Sequence, residues 1–113
     1  MAIIFSGVAL SVASGGSIYG DFSGPVVPTV GTSQRNFTST IKFYRLVLHT
    51  FVNVSANVVV TINVNGLPVS VITLAAGTNT QINPVSIIVN NGDYMTTDVT
   101  SGSCSDLSVR LDY

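Results

Sequence analysis

Charge is the scarcest property of this sequence. Its 113 residues include four Lys and Arg, five acidic residues that are all Asp, and one His, so charged residues make up 8% of the chain and the formal net charge is −1. An average soluble domain carries about 25%. The four basic residues, Arg35, Lys42, Arg45 and Arg110, are scattered. That excludes the concentrated positive footprint by which proteins hold phosphate backbones, so no nucleic-acid partner is expected. Without Glu, and with Lys42 as the single lysine, the chain lacks the residues from which solvent-facing helices are built. Cys104 is the one cysteine, which excludes an internal disulfide and leaves no second thiol for a zinc site. No apolar run approaches the roughly 20 residues of a membrane helix, so no membrane partner is expected. Residues 1–12 are apolar but lack a basic start and are interrupted by Phe5-Ser6-Gly7, so they are not read as an export signal.

Val, Ile and Thr dominate what remains, and their β-branched side chains pack well on a pleated sheet. The length fits one domain spanning residues 1–113. Period-two alternation is clearest in 57–65, where Val58, Val60, Ile62 and Val64 point one way and Asn57, Thr61, Asn63 and Asn65 the other. That strand runs into Asn65-Gly66, the dipeptide suited to a type I′ turn, and resumes at Leu67-Pro68-Val69, so a hairpin is expected. Pro68 cannot donate to a ladder and belongs at the start of the returning strand or on an edge. Core stripes are expected at Ile4, Val8, Leu10 and Val12, at Ile18 and Phe22, and at Leu107, Val109 and Leu111. Strands are expected at 2–12, 17–22, 37–53, 57–65, 67–75, 81–89, 93–100 and 105–112, with Gly24-Pro25-Val26-Val27-Pro28 as an extended connection. The third changes phase near Phe43, which calls for a bulge or a bend, or for two strands and a loop. About eight antiparallel strands make an all-β, jelly-roll-like β-sandwich, although an immunoglobulin-like sandwich has similar alternation.

Several strands are apolar on both faces. Leu46-Val47-Leu48, Val58-Val59-Val60 and Ile87-Ile88-Val89 would show Val47, Val59 and Ile88 to water in a free two-layer sandwich. On adjacent strands these form a patch of the kind that marks a protein contact. With Tyr113 they are the expected interface residues of a homo-oligomer, closed by threefold symmetry.

Catalytic chemistry is not in view. His49 faces with Arg45 and Val47, and nothing in the sequence supplies the orienting partners of a triad. Asp21, Asp93, Asp98, Asp106 and Asp112 mostly sit beside turn residues, where Asp bonds its own backbone. Asn91-Gly92-Asp93 lacks calcium-loop spacing. Cys104 has no activating base and reads as a small buried or half-buried residue. Asn36-Phe37-Thr38 and Asn53-Val54-Ser55 match a glycosylation pattern that has meaning only in a secretory pathway. No enzyme activity, cofactor or metal is expected.

Three strings carry a family likeness: Ser39-Thr40-Ile41-Lys42-Phe43-Tyr44-Arg45-Leu46-Val47-Leu48, Val60-Thr61-Ile62-Asn63-Val64-Asn65-Gly66-Leu67-Pro68-Val69, and Ile87-Ile88-Val89-Asn90-Asn91-Gly92-Asp93-Tyr94. With them the chain resembles the small C1q/TNF-like jelly-roll domains of tailed-bacteriophage virions: capsid decoration proteins, head fibres and tail-fibre tips. The resemblance implies a trimeric, non-catalytic virion part, assembled in the host cytoplasm. No heptad shaft or collagen-like repeat precedes the domain, which favours a cement role on the major capsid protein. The competing reading is a receptor- or glycan-binding tip, for which Tyr19, Tyr44, Tyr94 and Tyr113 offer stacking rings beside Asp21 and Asp93.

Overall fold

The computed structural model describes residues 2–6, 11–13, 19–20, 35–105 and 107–113. Its strands are β1 (Ala2–Ser6), β2 (Ser11–Ala13), β3 (Tyr19–Gly20), β4 (Arg35–Asn36), β5 (Ile41–His49), β6 (Val58–Val64), β7 (Leu67–Leu74), β8 (Thr80–Val89), β9 (Tyr94–Ser101), β10 (Ser103–Ser105) and β11 (Ser108–Asp112). Among the described residues there is no helix. The Val, Ile and Thr content that argued for strands is thus realised as strands.

Alternation lets each strand bury one side, and the pairing order stacks those sides. One sheet runs β3-β1-β11-β5-β8, a second runs β4-β9-β6-β7, and β10 pairs with β2. Every pair is antiparallel, and the pairs β6–β7, β5–β8, β4–β9 and β1–β11 are nested about one turn. A long hairpin rolled up in this way is a jelly roll, which decides the topology against the immunoglobulin-like alternative. The turn at the centre of the nest is Asn65-Gly66, with φ of 54° and 79°, the positive values a type I′ turn demands. The Asn65 amide ties it to the neighbouring turn, donating to Asp93 Oδ1 at 2.8 Å and accepting from the Tyr94 N–H at 3.1 Å.

Among the described residues, the strands that carry most of the core number six (β5 to β9 and β11), fewer than the eight expected. The stretches read as 2–12 and 17–22 hold only the shorter segments β1, β2 and β3. The stretch read as 37–53 is a strand only over Ile41–His49. Val8, Leu10, Ile18, Phe22 and the Gly24-to-Pro28 connection lie outside the described residues, as do the side chains of Ile4 and Val12. Phe43, Leu46, Leu48, Ile62, Ile72, Leu74, Met95, Leu107 and Leu111 are fully buried between the sheets, each contributing about 1.5–3 kcal/mol. The expected stripe of Leu107, Val109 and Leu111 is present, and so is that of Val58, Val60 and Ile62. Phe43 meets Phe37 and Tyr113 edge to face, with ring centroids 6.0 and 5.5 Å apart.

Two register shifts matter for the surface. In β5–β8 the pairing jumps between Phe43↔Ile87 and Arg45↔Pro84, so Val85 and Ser86 both fall opposite Tyr44. This is the bulge that the phase change near Phe43 required. In β6–β7 the pairing jumps between Ile62↔Ser70 and Asn63↔Pro68, leaving Val69 as the extra residue. Pro68 is second in an edge strand, where its missing donor costs least.

Candidate interaction faces

The outer face of the first sheet is built by the outward positions of β5, β8 and β11. Val47 lies between Ile82 and Arg110, and Arg45 between Pro84 and Asp112, as direct cross-strand partners. Such partners sit about 4.5–5.5 Å apart at Cβ. Asp112 is buried, and both its oxygens are taken: Arg45 Nε donates to Oδ2 at 2.6 Å, and Arg110 Nε donates to Oδ1 at 3.0 Å. Burial pushes the Asp112 carboxyl up, but the Arg45 hydrogen bond and the charges of Arg110 and Arg45 outweigh it and hold the group below the usual carboxylate range. The Asp112 hydrogen bond and charge in turn raise Arg45. The Arg45 guanidinium also lies 5.7 Å from the centre of the exposed Tyr44 ring, within cation–π reach.

At one side of the sandwich the edge strands β7 and β8 lie against each other. Leu67, Val69 and Val71 on β7, and Ile82 and Ile88 on β8, are exposed there, from 47% for Val69 to 69% for Leu67. No Asp, Glu, Lys or Arg occurs between residues 50 and 92, so this edge carries none of the charges that usually guard one.

The expected interface residues do not form one patch. Val47 and Ile88 share the outer face of the first sheet, on neighbouring strands, with Ile88 opposite Lys42. Val59 belongs to the second sheet, opposite Thr73 and Ser101, on the other side of the sandwich. Tyr113 is half-buried and packs edgewise on the core ring of Phe43. Sequence reasoning named Tyr44 only as a stacking ring for a glycan, and missed Ile82 and the Arg45–Asp112–Arg110 cluster. Ile82 had a signal, since it shares parity with Ile88 along β8.

The remaining candidates have structural partners. His49 Nδ1 lies 2.9 Å from Thr80 Oγ1. Asp93 shows the expected turn chemistry: it accepts from the Asn65 amide and from the Asn90 N–H, and these bonds lower its pKa. Asp98 and Asp112 lie within strands instead, and Asp98 accepts from Asn63 Nδ2 at 2.8 Å. Asp21 and Asp106 lie outside the described residues. Burial pushes the Cys104 thiol up to about 11. Among the described residues no group of three or more His, Cys, Asp or Glu is placed to hold a metal ion.

Sheet order and nesting together define a jelly roll. The structure of Eiger TNF from S. frugiperda superposes with a TM-score of 0.60 at 9% identity, covering 100% of this chain and 92% of that one. An exo-beta-1,3-galactanase from Phanerochaete chrysosporium, solved with galactose, aligns at TM-score 0.47 and 18% identity over 94% of this chain and 26% of its own. No protein-family profile and no curated protein sequence matches the chain.

Proposed function

We propose that this chain is a non-catalytic assembly module that closes into a homotrimer and serves as a structural protein of a virus particle, in the first place as a decoration or cement protein on the outer surface of the major capsid shell. The observation that carries self-association is the uncharged edge formed by β7 and β8. Five exposed aliphatic side chains lie along two edge strands there that carry no charged residue and are interrupted by Pro68, Pro84 and the two bulges. Prolines and bulges discourage open-ended strand pairing but leave the apolar side chains in water, and exposed apolar surface of this kind marks a protein contact. A heterologous contact repeated around a closed ring covers every edge equally, and the TNF-like fold supplies two distinct surfaces for it, an edge and a sheet face. The virion role rests on the sequence resemblance of the strings around Lys42, Asn65 and Asp93. The non-catalytic reading is supported by the partners of His49, Asp93, Asp98 and Asp112, which bind each group into the fold.

Two measurements test the proposal. Light scattering on the purified chain should give three times the mass of the chain, and the double substitution Leu67→Lys, Val71→Lys should give monomer with the same β-rich circular dichroism. A monomeric unaltered protein would remove the assembly reading. Immunogold labelling of source particles should decorate head faces. Label at a tail or fibre tip would replace the cement role with receptor or glycan binding.

A further inference from the structure

We infer that Arg45 and Arg110 form an oxyanion-binding fork on the outer face of the first sheet, braced from below by the buried carboxylate of Asp112. A guanidinium offers five N–H donors in a fixed plane. Each of these two spends its Nε on Asp112, and none of their terminal nitrogens has an acceptor among the described residues. Both side chains are accessible, 45% and 43% exposed, whereas that of Asp112 is 7% exposed. The cluster of two cations and one anion therefore keeps a net positive charge, with its unused donors on the exposed members.

Among the described residues no further side-chain carboxylate neutralises it. Val47, Ile82, Pro84 and Tyr44 flank the pair, and Lys42, exposed on the same strand, adds a further positive charge. Of the other described side-chain carboxylates, Asp93 is committed to its turn and Asp98 to the second sheet. Free surface arginines lose side-chain entropy when they grip an anion. Here one bond to Asp112 already restrains each of them, so less is lost when a carboxylate, phosphate or sulfate group arrives. The fork stands on the geometry of one chain. A second copy seated by its β7–β8 edge leaves it unfilled, because residues 50–92 contain no carboxylate.

The test is a titration of the unaltered protein with sodium phosphate at ionic strength held constant by chloride, following the Arg Nε–Hε resonances by NMR. Saturating shifts confined to Arg45 and Arg110 are expected, with phosphate preferred over chloride by about fivefold or more. The double variant Arg45→Lys, Arg110→Lys, followed in the same titration through the backbone amide resonances of residues 45, 47, 110 and 112, keeps the charge but not the planar forks and should lose the saturation that these amides show in the unaltered protein. A parallel titration with a tetra-aspartate peptide separates the sources: tighter binding than phosphate assigns the oxyanion to a protein partner, and weaker binding to a free anion. Linear, non-saturating shifts in the unaltered protein overturn the inference whether or not the double variant folds, and so does undiminished binding by a folded double variant. Light scattering on the same sample reports the oligomer separately, so either idea can fail alone.

Discussion

Replacing Thr97 with Val should make this protein more stable. Thr97 is fully buried on the core side of β9, opposite Ile62 and between the buried Met95 and Val99. Its Oγ1 has no hydrogen-bond partner among the described residues. A hydroxyl taken out of water without a compensating bond costs about 1–3 kcal/mol in proteins. Valine has nearly the same shape, so Thr97→Val removes that cost without opening a cavity, and it also suits a strand better. A gain of about 1–2 kcal/mol is expected, which for a chain of this length raises Tm by about 3–10 °C. Differential scanning calorimetry measures the shift, and urea unfolding should show a higher midpoint at an unchanged slope. The reverse substitution, Val99→Thr, puts a second hydroxyl into the same layer and should cost a similar amount. An unchanged or lower Tm for Thr97→Val would refute the reasoning, because it would mean that the hydroxyl is satisfied in solution.

Gly102 and Gly77 both have positive φ, 77° and 82°, but a Cβ on Gly102 would lie 2.3 Å from the Asn57 carbonyl oxygen, while one on Gly77 meets nothing within 4 Å. Gly77→Ala should therefore cost about 1 kcal/mol and Gly102→Ala clearly more, read as the difference between their urea midpoints. Because the folded-state pKa of Asp112 is depressed, its stabilisation is complete above the unfolded value of about 3.9 and is lost as pH falls through the lower folded value. Asp112→Asn should lose about 1–2 kcal/mol at neutral pH, a figure kept small because both arginines are half exposed, and should converge on the unaltered protein in acid melts. With its thiol pushed up to about 11, Cys104 should react with a disulfide reagent at pH 8 more than about a hundredfold slower in the native state than after unfolding.

The fold was legible wherever a local rule was sufficient. Alternation in 57–65 and the Asn65-Gly66 dipeptide determine a strand, a turn and the returning strand using contacts only a few residues apart, and all three are present. Those same residues turned out to be the centre of the nested pairing, so the best local signal also seeds the global topology. Strand count was less legible, because apolar composition continues beyond the residues that find ladder partners: residues 50–57 include Phe51, Val52 and Val54, yet no strand is formed there. The Thr50 hydroxyl closes a short turn by donating to the Val52 carbonyl at 2.7 Å, and the Val54 N–H is claimed by the Thr78 carbonyl at 2.9 Å, outside any ladder.

The surface was harder to read, and β5 shows why. Alternation gives the direction of a side chain relative to its neighbours, but not the sheet that the strand joins. Val59 and Val47 look equivalent in sequence and end on opposite sides of the sandwich because β6 pairs with β7 and β9, whereas β5 pairs with β8 and β11. The bulge adds a second difficulty. Strict alternation from the buried Phe43 would point Arg45, Val47 and His49 into the core and Leu46 and Leu48 to solvent. The register shift at Tyr44 exposes two consecutive residues and reverses the phase. It thereby returns Leu46 and Leu48 to the core and brings the Arg45 guanidinium to a carboxylate 67 residues further along the chain. Without that shift Asp112 would lose one of its two arginines, and Arg45 would have to be buried without a counter-charge, which costs several kcal/mol. The bulge is thus the local feature on which the ion cluster, and with it the character of this face, depends.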